Sequence, residues 1–258
     1  PFAGVEWLNP KLIPKSLMVA NASGHEIAMS EYIIGCIMSL SIDLLANNSD
    51  FKAGSWEKTG TLSDPKSMHG EVFGKVLGII GYGQIGIETA IRAKSLGMKI
   101  YGLNRTQKKN TPKYLDWHGS TDKLDFILKK SDFLVLACDL NKSTKGLINK
   151  RTLSMMKKTS YIINVARGDV CVEEDLFNSL KNKNIAGAAI DTWWIYPDRP
   201  KEGGKPEKAP RPSDFPFHKL DNVIMTPHNS AHTLESDLRR SKSILDNLLD
   251  FKKGKKPS

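Results

Sequence analysis

The chain has 258 residues, 40% hydrophobic and 26% charged, enough for one large or two medium domains around a real core. No apolar run reaches the roughly 18 residues of a membrane span, and three widely spaced cysteines, Cys36, Cys138 and Cys171, exclude a disulfide scaffold and fit a reducing, cytoplasmic compartment. The net charge of +10 is dispersed apart from the tail Lys252, Lys253, Lys255 and Lys256, which reads as solvated surface, so neither nucleic acid nor membrane is an expected partner.

The first element expected is a helix over Glu26–Asn47, apolar on nearly every face through Ile27, Met29, Ile33, Ile37, Leu40 and Leu44. Such a helix is buried between domains or subunits. Phe51 and Trp56 extend its apolar surface, so the sequence predicts a homodimer. Strands are expected at Val76–Ile80, Lys99–Leu103, Phe133–Ala137, Tyr161–Asn164, Ile185–Ile190 and Asn222–Met225. Their Val, Ile and Leu content suits burial on both faces. Helices over Gln84–Leu96, Lys123–Lys129 and Glu173–Leu180 fall between them. Strand alternating with helix implies an α/β fold with a doubly wound parallel sheet, spanning residues 26–229. Residues 197–217 carry six prolines and read as a long irregular loop. An amphipathic helix over Thr233–Phe251 closes the chain.

The first strand runs into Gly81-Tyr-Gly83-Gln-Ile-Gly86, a G-x-G-x-x-G turn that opens a helix. Gly81 permits the tight turn, Gly83 lets a pyrophosphate approach the backbone, and Gly86 allows helix to pack on strand. The helix N-terminus then offers free N–H groups to phosphates. In this strand–turn–helix setting the motif is the dinucleotide-binding fingerprint of a Rossmann-type sheet. The next strand ends in Asn104-Arg105-Thr106, where an NAD site carries a carboxylate for the ribose hydroxyls. A guanidinium there, with Lys108 and Lys109 beyond, favours the 2′-phosphate of NADP, while NAD stays possible.

Several segments together resemble the D-isomer-specific 2-hydroxyacid dehydrogenase family. Besides Gly81–Gly86 they are the stretch from Ser131 to Thr144, the stretch from Met156 through Asn164-Val-Ala-Arg167-Gly168, Ala186–Asp191, and Thr226-Pro-His228. The resemblance implies hydride transfer between a nicotinamide dinucleotide and a small 2-hydroxy or 2-oxo acid such as glyoxylate or hydroxypyruvate. It implies Arg167 as the clamp on the substrate carboxylate and His228 as the catalytic acid and base. Asp191 is implied for the nicotinamide carboxamide. Tyr82, Gln84, Ile85, Cys138, Asp139, Val165, Ala166 and Ser230 are implied as further cofactor contacts. Ser23, Gly24 and His25 are implied as a substrate loop. Family members carry a flavodoxin-like substrate lobe ahead of this region. The resemblance therefore implies that residues 1–25 and 230–258 are its remnant, and that the natural start of the chain, here Pro1, lies upstream.

One departure stands out. The family places a glutamate five residues after the aspartate, where it bonds the catalytic histidine; this chain reads Asp191-Thr-Trp-Trp-Ile-Tyr196. A phenol at Tyr196 can orient His228 but supplies no negative charge near neutral pH. Asp198 or Glu202 could replace the missing carboxylate. The departure leaves two alternatives: a formate-dehydrogenase-like oxidation of a small acid, and a non-catalytic dinucleotide-dependent binding protein resembling the family's corepressors.

Overall fold

Seven strands form one parallel sheet: β1 (Val76–Ile80), β2 (Lys99–Leu103), β3 (Trp117–Gly119), β4 (Phe133–Leu136), β5 (Tyr161–Asn164), β6 (Gly187–Ile190) and β7 (Val223–Met225). Their order is β3-β2-β1-β4-β5-β6-β7, and every neighbouring pair is parallel. The computed structural model describes residues 13–14, 17–58, 68–106, 111–197 and 211–256. Lys108, Lys109, Asp198 and Glu202 lie outside the described residues.

Every residue of β4 and β6 is buried, as their unbroken apolar runs require of strands covered on both faces. One apolar layer gathers Leu128, Leu136, Ile162 and Leu180; the other gathers Ile33, Ile37, Ile79 and Ile163. The chain leaves β1 in one direction for β2 and β3, then returns to its other side for β4. That reversal opens a crevice beyond the C-terminal ends of β1 and β4, the place where such sheets bind ligands.

Helices α1 (Glu26–Ile42), α2 (Leu44–Lys52), α3 (Gln84–Ser95), α4 (Leu124–Lys130), α5 (Lys150–Leu153), α6 (Glu173–Lys181) and α7 (Leu234–Lys252) complete the fold. The single helix expected over Glu26–Asn47 is two helices. Asp43 stands at φ 54° in the left-handed region, a conformation that Asp tolerates better than most residues, and the helix axes diverge by 57°. Ile33 and Ile37 of α1 are fully buried, whereas Leu44, Leu45, Phe51 and Trp56 are exposed. Among the described residues no single helix is long and apolar enough to cross a membrane.

The segment 21–24 lies along α7. Ser23 N–H donates to Ser243 Oγ at 3.1 Å, Arg239 Nε to Gly24 O at 2.8 Å, and Asn247 Nδ2 to Asn21 O at 2.8 Å. The two chain regions outside the sheet thus contact each other.

Candidate active site

The turn after β1 is shaped by backbone crowding. Gly81 stands at φ 93°, and a Cβ there would lie 2.6 Å from the backbone of Cys138, so only glycine fits. A Cβ on Gly83 would meet nothing within 4 Å, which leaves open space where a pyrophosphate has to approach. The first bond across the start of α3 runs from Ile87 N–H to Gly83 O, at 2.9 Å. The N–H groups of Gln84, Ile85 and Gly86 are therefore the unpaired donors that a helix N-terminus offers to an anion.

A cleft of about 650 Å³ opens here, lined by Gly81, Gly83, Gln84, Ile85, Asn104 and Arg105 at one end and by Ser23, His25 and Glu26 at the other. Cys138 and Asp139 lie on its wall, and burial pushes the Cys138 thiol up to about 11. Asn104 is engaged internally: its Nδ2 donates to Tyr82 O at 3.2 Å and its Oδ1 meets His118 Nε2 at 2.9 Å. Arg105 and Thr106 are exposed beside it. The residues present fit a dinucleotide, with open backbone at the phosphates and a cation at the far end of β2.

Two residues expected at the cofactor also hold the frame. Tyr82 is buried, its hydroxyl donating to Lys113 O at 3.0 Å, and Gly86 packs beneath Tyr82 and Ile79. Val165 and Ala166 are also buried, inside a turn that Asn164 builds. The Asn164 side chain donates to Arg167 O at 3.0 Å and accepts Ala166 N–H at 3.1 Å. That turn presents Arg167 at the C-terminal end of β5, where its Nη1 donates to Ala166 O at 2.7 Å.

Asp191 ends β6 fully buried. Its Oδ1 accepts the Thr226 hydroxyl at 2.6 Å and Asn229 N–H at 2.9 Å, and its Oδ2 accepts Ser230 N–H at 3.0 Å. Thr226 Oγ1 also meets the Tyr32 hydroxyl of α1 at 2.7 Å. A hydroxyl has one proton, so Thr226 gives it to the carboxylate and Tyr32 donates to Thr226. His228 sits within this anchored loop at φ 57°. Burial lowers the His228 pKa below its ordinary value; Asp191 raises it, and Arg167 and His232 lower it further.

The Tyr196 ring lies 5.5 Å from the His228 ring, centroid to centroid, at a tilt of 57°. Its hydroxyl accepts Trp193 N–H at 3.0 Å. Among the described residues, no hydrogen bond or ion pair reaches the His228 imidazole. The phenol thus stands beside His228 without orienting it through a hydrogen bond.

The loop Ser23-Gly24-His25 borders the cleft, but two of its amides are already used. Ser23 N–H points to Ser243, and Gly24 N–H donates to the Glu26 carboxylate at 2.7 Å. His25 keeps a buried Nδ1 without a hydrogen-bond partner, and burial lowers its pKa.

Sequence reasoning grouped Arg167, Asp191, Tyr196 and His228; in the structure Asp191 holds the loop of His228, the Tyr196 ring lies beside the His228 ring, and Arg167 stands just beyond β5. The same reasoning missed Tyr32, which is 194 residues away from its partner Thr226, a separation no local motif signals. It also missed Thr121, Asn141 and Thr144 on the cleft wall. The Asn141–Thr144 spacing of a tight turn was the one available hint.

Comparison with known proteins follows from this geometry. The family described as "D-isomer specific 2-hydroxyacid dehydrogenase, NAD binding domain" matches residues 34–230. The glyoxylate reductase of Pyrococcus furiosus is 32% identical over 231 residues, covering 89% of this chain and 64% of that protein. The chain thus spans under two thirds of that curated relative. A D-isomer specific 2-hydroxyacid dehydrogenase family protein from Aeromonas salmonicida superposes with a TM-score of 0.79 at 26% identity, covering 98% of this chain and 74% of the other. An acyclic imino acid reductase solved with NADPH and D-Arg superposes with a TM-score of 0.76 at 25% identity, covering 93% and 70%.

Proposed function

The chain belongs to the D-isomer-specific 2-hydroxyacid dehydrogenase family, and from that premise we propose that it is the cofactor-binding part of an oxidoreductase that interconverts a 2-oxo acid and a 2-hydroxy acid with NADP(H). The observation that carries this reading is the placement of Arg167 just beyond β5 and His228 just beyond β7, in one parallel sheet whose β1 turn is open to a dinucleotide.

The bound reduced dinucleotide supplies the hydride. Arg167 holds the substrate carboxylate and the ketone oxygen in one plane, which a guanidinium does better than an ammonium. His228, as imidazolium, gives its proton to the carbonyl oxygen, and as neutral imidazole takes it back in the oxidative direction. Asp191 keeps the histidine loop in place. The names of the glyoxylate reductase relatives support glyoxylate or hydroxypyruvate as the starting point for substrate tests. Exposed Arg105 and Thr106 support NADP over NAD, as does the NADPH held by the imino acid reductase.

Tyr196 stands beside His228 where the family places a glutamate. That supports a second reading, a formate-dehydrogenase-like oxidation, which needs no protonated histidine. The contact of segment 21–24 with α7 supports assigning residues 1–25 and 230–258 to a second lobe. The exposed apolar residues of α2 support a homodimer, and the unbridged cysteines support the cytoplasm.

The test is turnover of glyoxylate, hydroxypyruvate and formate with NADPH or NADP by the chain. Loss of 2-oxo acid reduction in both Arg167→Ala and His228→Asn is the expected result. Cofactor binding with no turnover of any acid would contradict it and favour a dinucleotide-dependent binding protein.

A further inference from the structure

A second hollow of about 610 Å³ opens on His228, separate from the dinucleotide cleft, with walls from Trp193, Ile195, Tyr196, Met225, Pro227 and His228. Its volume falls within the roughly 300–1,000 Å³ usual for small-molecule sites. Its walls are fixed. Trp193 Nε1 donates to Thr226 O at 2.8 Å, Ile195 N–H donates to Pro212 O at 3.0 Å, and the Tyr196 hydroxyl is held by Trp193 N–H. The Thr226 hydroxyl is spent on Asp191 and Tyr32. The polar side chains left to meet a ligand are His228 itself, His232 at its side, and the Tyr196 hydroxyl, which accepts Trp193 N–H and keeps its proton to donate.

Glyoxylate has no side chain and would leave this space empty. We infer that the hollow seats the apolar substituent of an acid ligand. In the reaction proposed above, on which this inference rests, the preferred 2-oxo acids then carry a branched aliphatic or aromatic group. The carboxylate and ketone face Arg167 and His228, and the substituent lies between Trp193, Ile195 and Met225. Hydride and the His228 proton reduce the ketone to a secondary alcohol, and the substituent passes through unchanged. A single methylene in an apolar pocket is worth about 10–200-fold in discrimination, so a whole isobutyl or benzyl group is a strong selector.

The experiment has two arms on the same chain. Calorimetry with unreactive 3-phenylpropionate, against glycolate, reads the hollow without turnover. Steady-state kinetics with NADPH compares glyoxylate, 4-methyl-2-oxopentanoate and phenylpyruvate. The inference expects saturable binding of 3-phenylpropionate and kcat/KM at least tenfold higher for the substituted acids. Ile195→Asp should weaken 3-phenylpropionate at least tenfold, and the uncharged Ile195→Thr should show the same trend, which assigns the loss to the apolar wall. Glyoxylate turnover with no binding of 3-phenylpropionate overturns the inference and leaves the 2-oxo acid reading standing. Binding of 3-phenylpropionate that Ile195→Asp abolishes, with no 2-oxo acid reduced, supports the hollow and overturns the reaction.

Discussion

Asp191 supports His228 from behind the loop and not through its ring. Its carboxylate accepts the N–H groups of the two residues that follow the histidine, at 2.9 and 3.0 Å, and the hydroxyl of Thr226 two residues before it. His228 is thereby held in a left-handed conformation that costs a non-glycine residue roughly 1–2 kcal/mol. The same carboxylate raises the pKa of His228 against the larger, opposing effect of burial. One buried carboxylate thus anchors the loop that carries His228 and opposes the effect of burial on its pKa.

Removing that anion should be expensive. Asp191→Ala strands three donors in a buried site and should destabilise the fold by about 3 kcal/mol or more, since bonds to a charged group are worth roughly 1.5–3 each. Tyr32→Phe removes one bond between neutral groups at the end of the same network and should cost about 1 kcal/mol. Urea unfolding of the two variants checks this. Equal, small losses would mean that the network does not hold the loop.

The strands were legible because their chemistry is local. Val76–Ile80 and Lys99–Leu103 were expected with the bounds the structure gives them, since short apolar runs covered on both faces need no distant information. Strand β3 was not: Trp117-His118-Gly119 is three residues long and pairs only with β2. The break at Asp43 was hidden because the apolar pattern continues across it into Leu44 and Leu45. The glycine turn was legible since its demands are steric. The Tyr196 hydroxyl was not, because its bond to Trp193 N–H depends on a turn only three residues long. The spending of Gly24 N–H on Glu26 is likewise a matter of loop geometry that residue types alone leave open.

Cofactor preference is tested at Arg105. With Asn104 engaged by Tyr82 O and His118, the exposed Arg105 is the cation at the end of β2 beside the cleft. Arg105→Ala should weaken NADPH by roughly 1.5 kcal/mol, about tenfold, the lower end of the charge-assisted range because the site is exposed. NADH binding should hardly change. Equal losses for both dinucleotides, measured by fluorescence titration, would assign Arg105 to the phosphates they share.

Assembly is the next expectation. Trp56 is 70% exposed, and Leu44, Leu45 and Phe51 are exposed with it on the arm that follows α1. Exposed apolar clusters of this kind are expected to be covered by a partner. Sedimentation at micromolar concentration should show a dimer, and Trp56→Glu with Leu45→Glu should shift it to monomer. A wild-type monomer at that concentration would remove the case for assembly.

The charge state of His228 gives the last prediction. Burial lowers its pKa first, Arg167 and His232 add to this, Asp191 opposes, and the Tyr196 ring beside it carries no charge near neutral pH. Reduction of a ketone needs the imidazolium, whose fraction falls as pH rises through a pKa below the ordinary value of about 6.5. Reductive kcat/KM should therefore decline across the whole range above that lowered pKa, while oxidation, which needs the neutral ring, holds or rises. Tyr196→Glu places a carboxylate near the imidazole, favours its charged form, and should carry the reductive limb to higher pH. The same substitution removes the ring and the phenol oxygen that accepts Trp193 N–H, so Tyr196→Gln serves as the control: it makes the same loss, matches Glu in shape and adds no charge. A limb that moves in Glu and not in Gln assigns the shift to charge. Profiles that coincide for wild type, Glu and Gln would mean that His228 does not titrate in the rate-determining step.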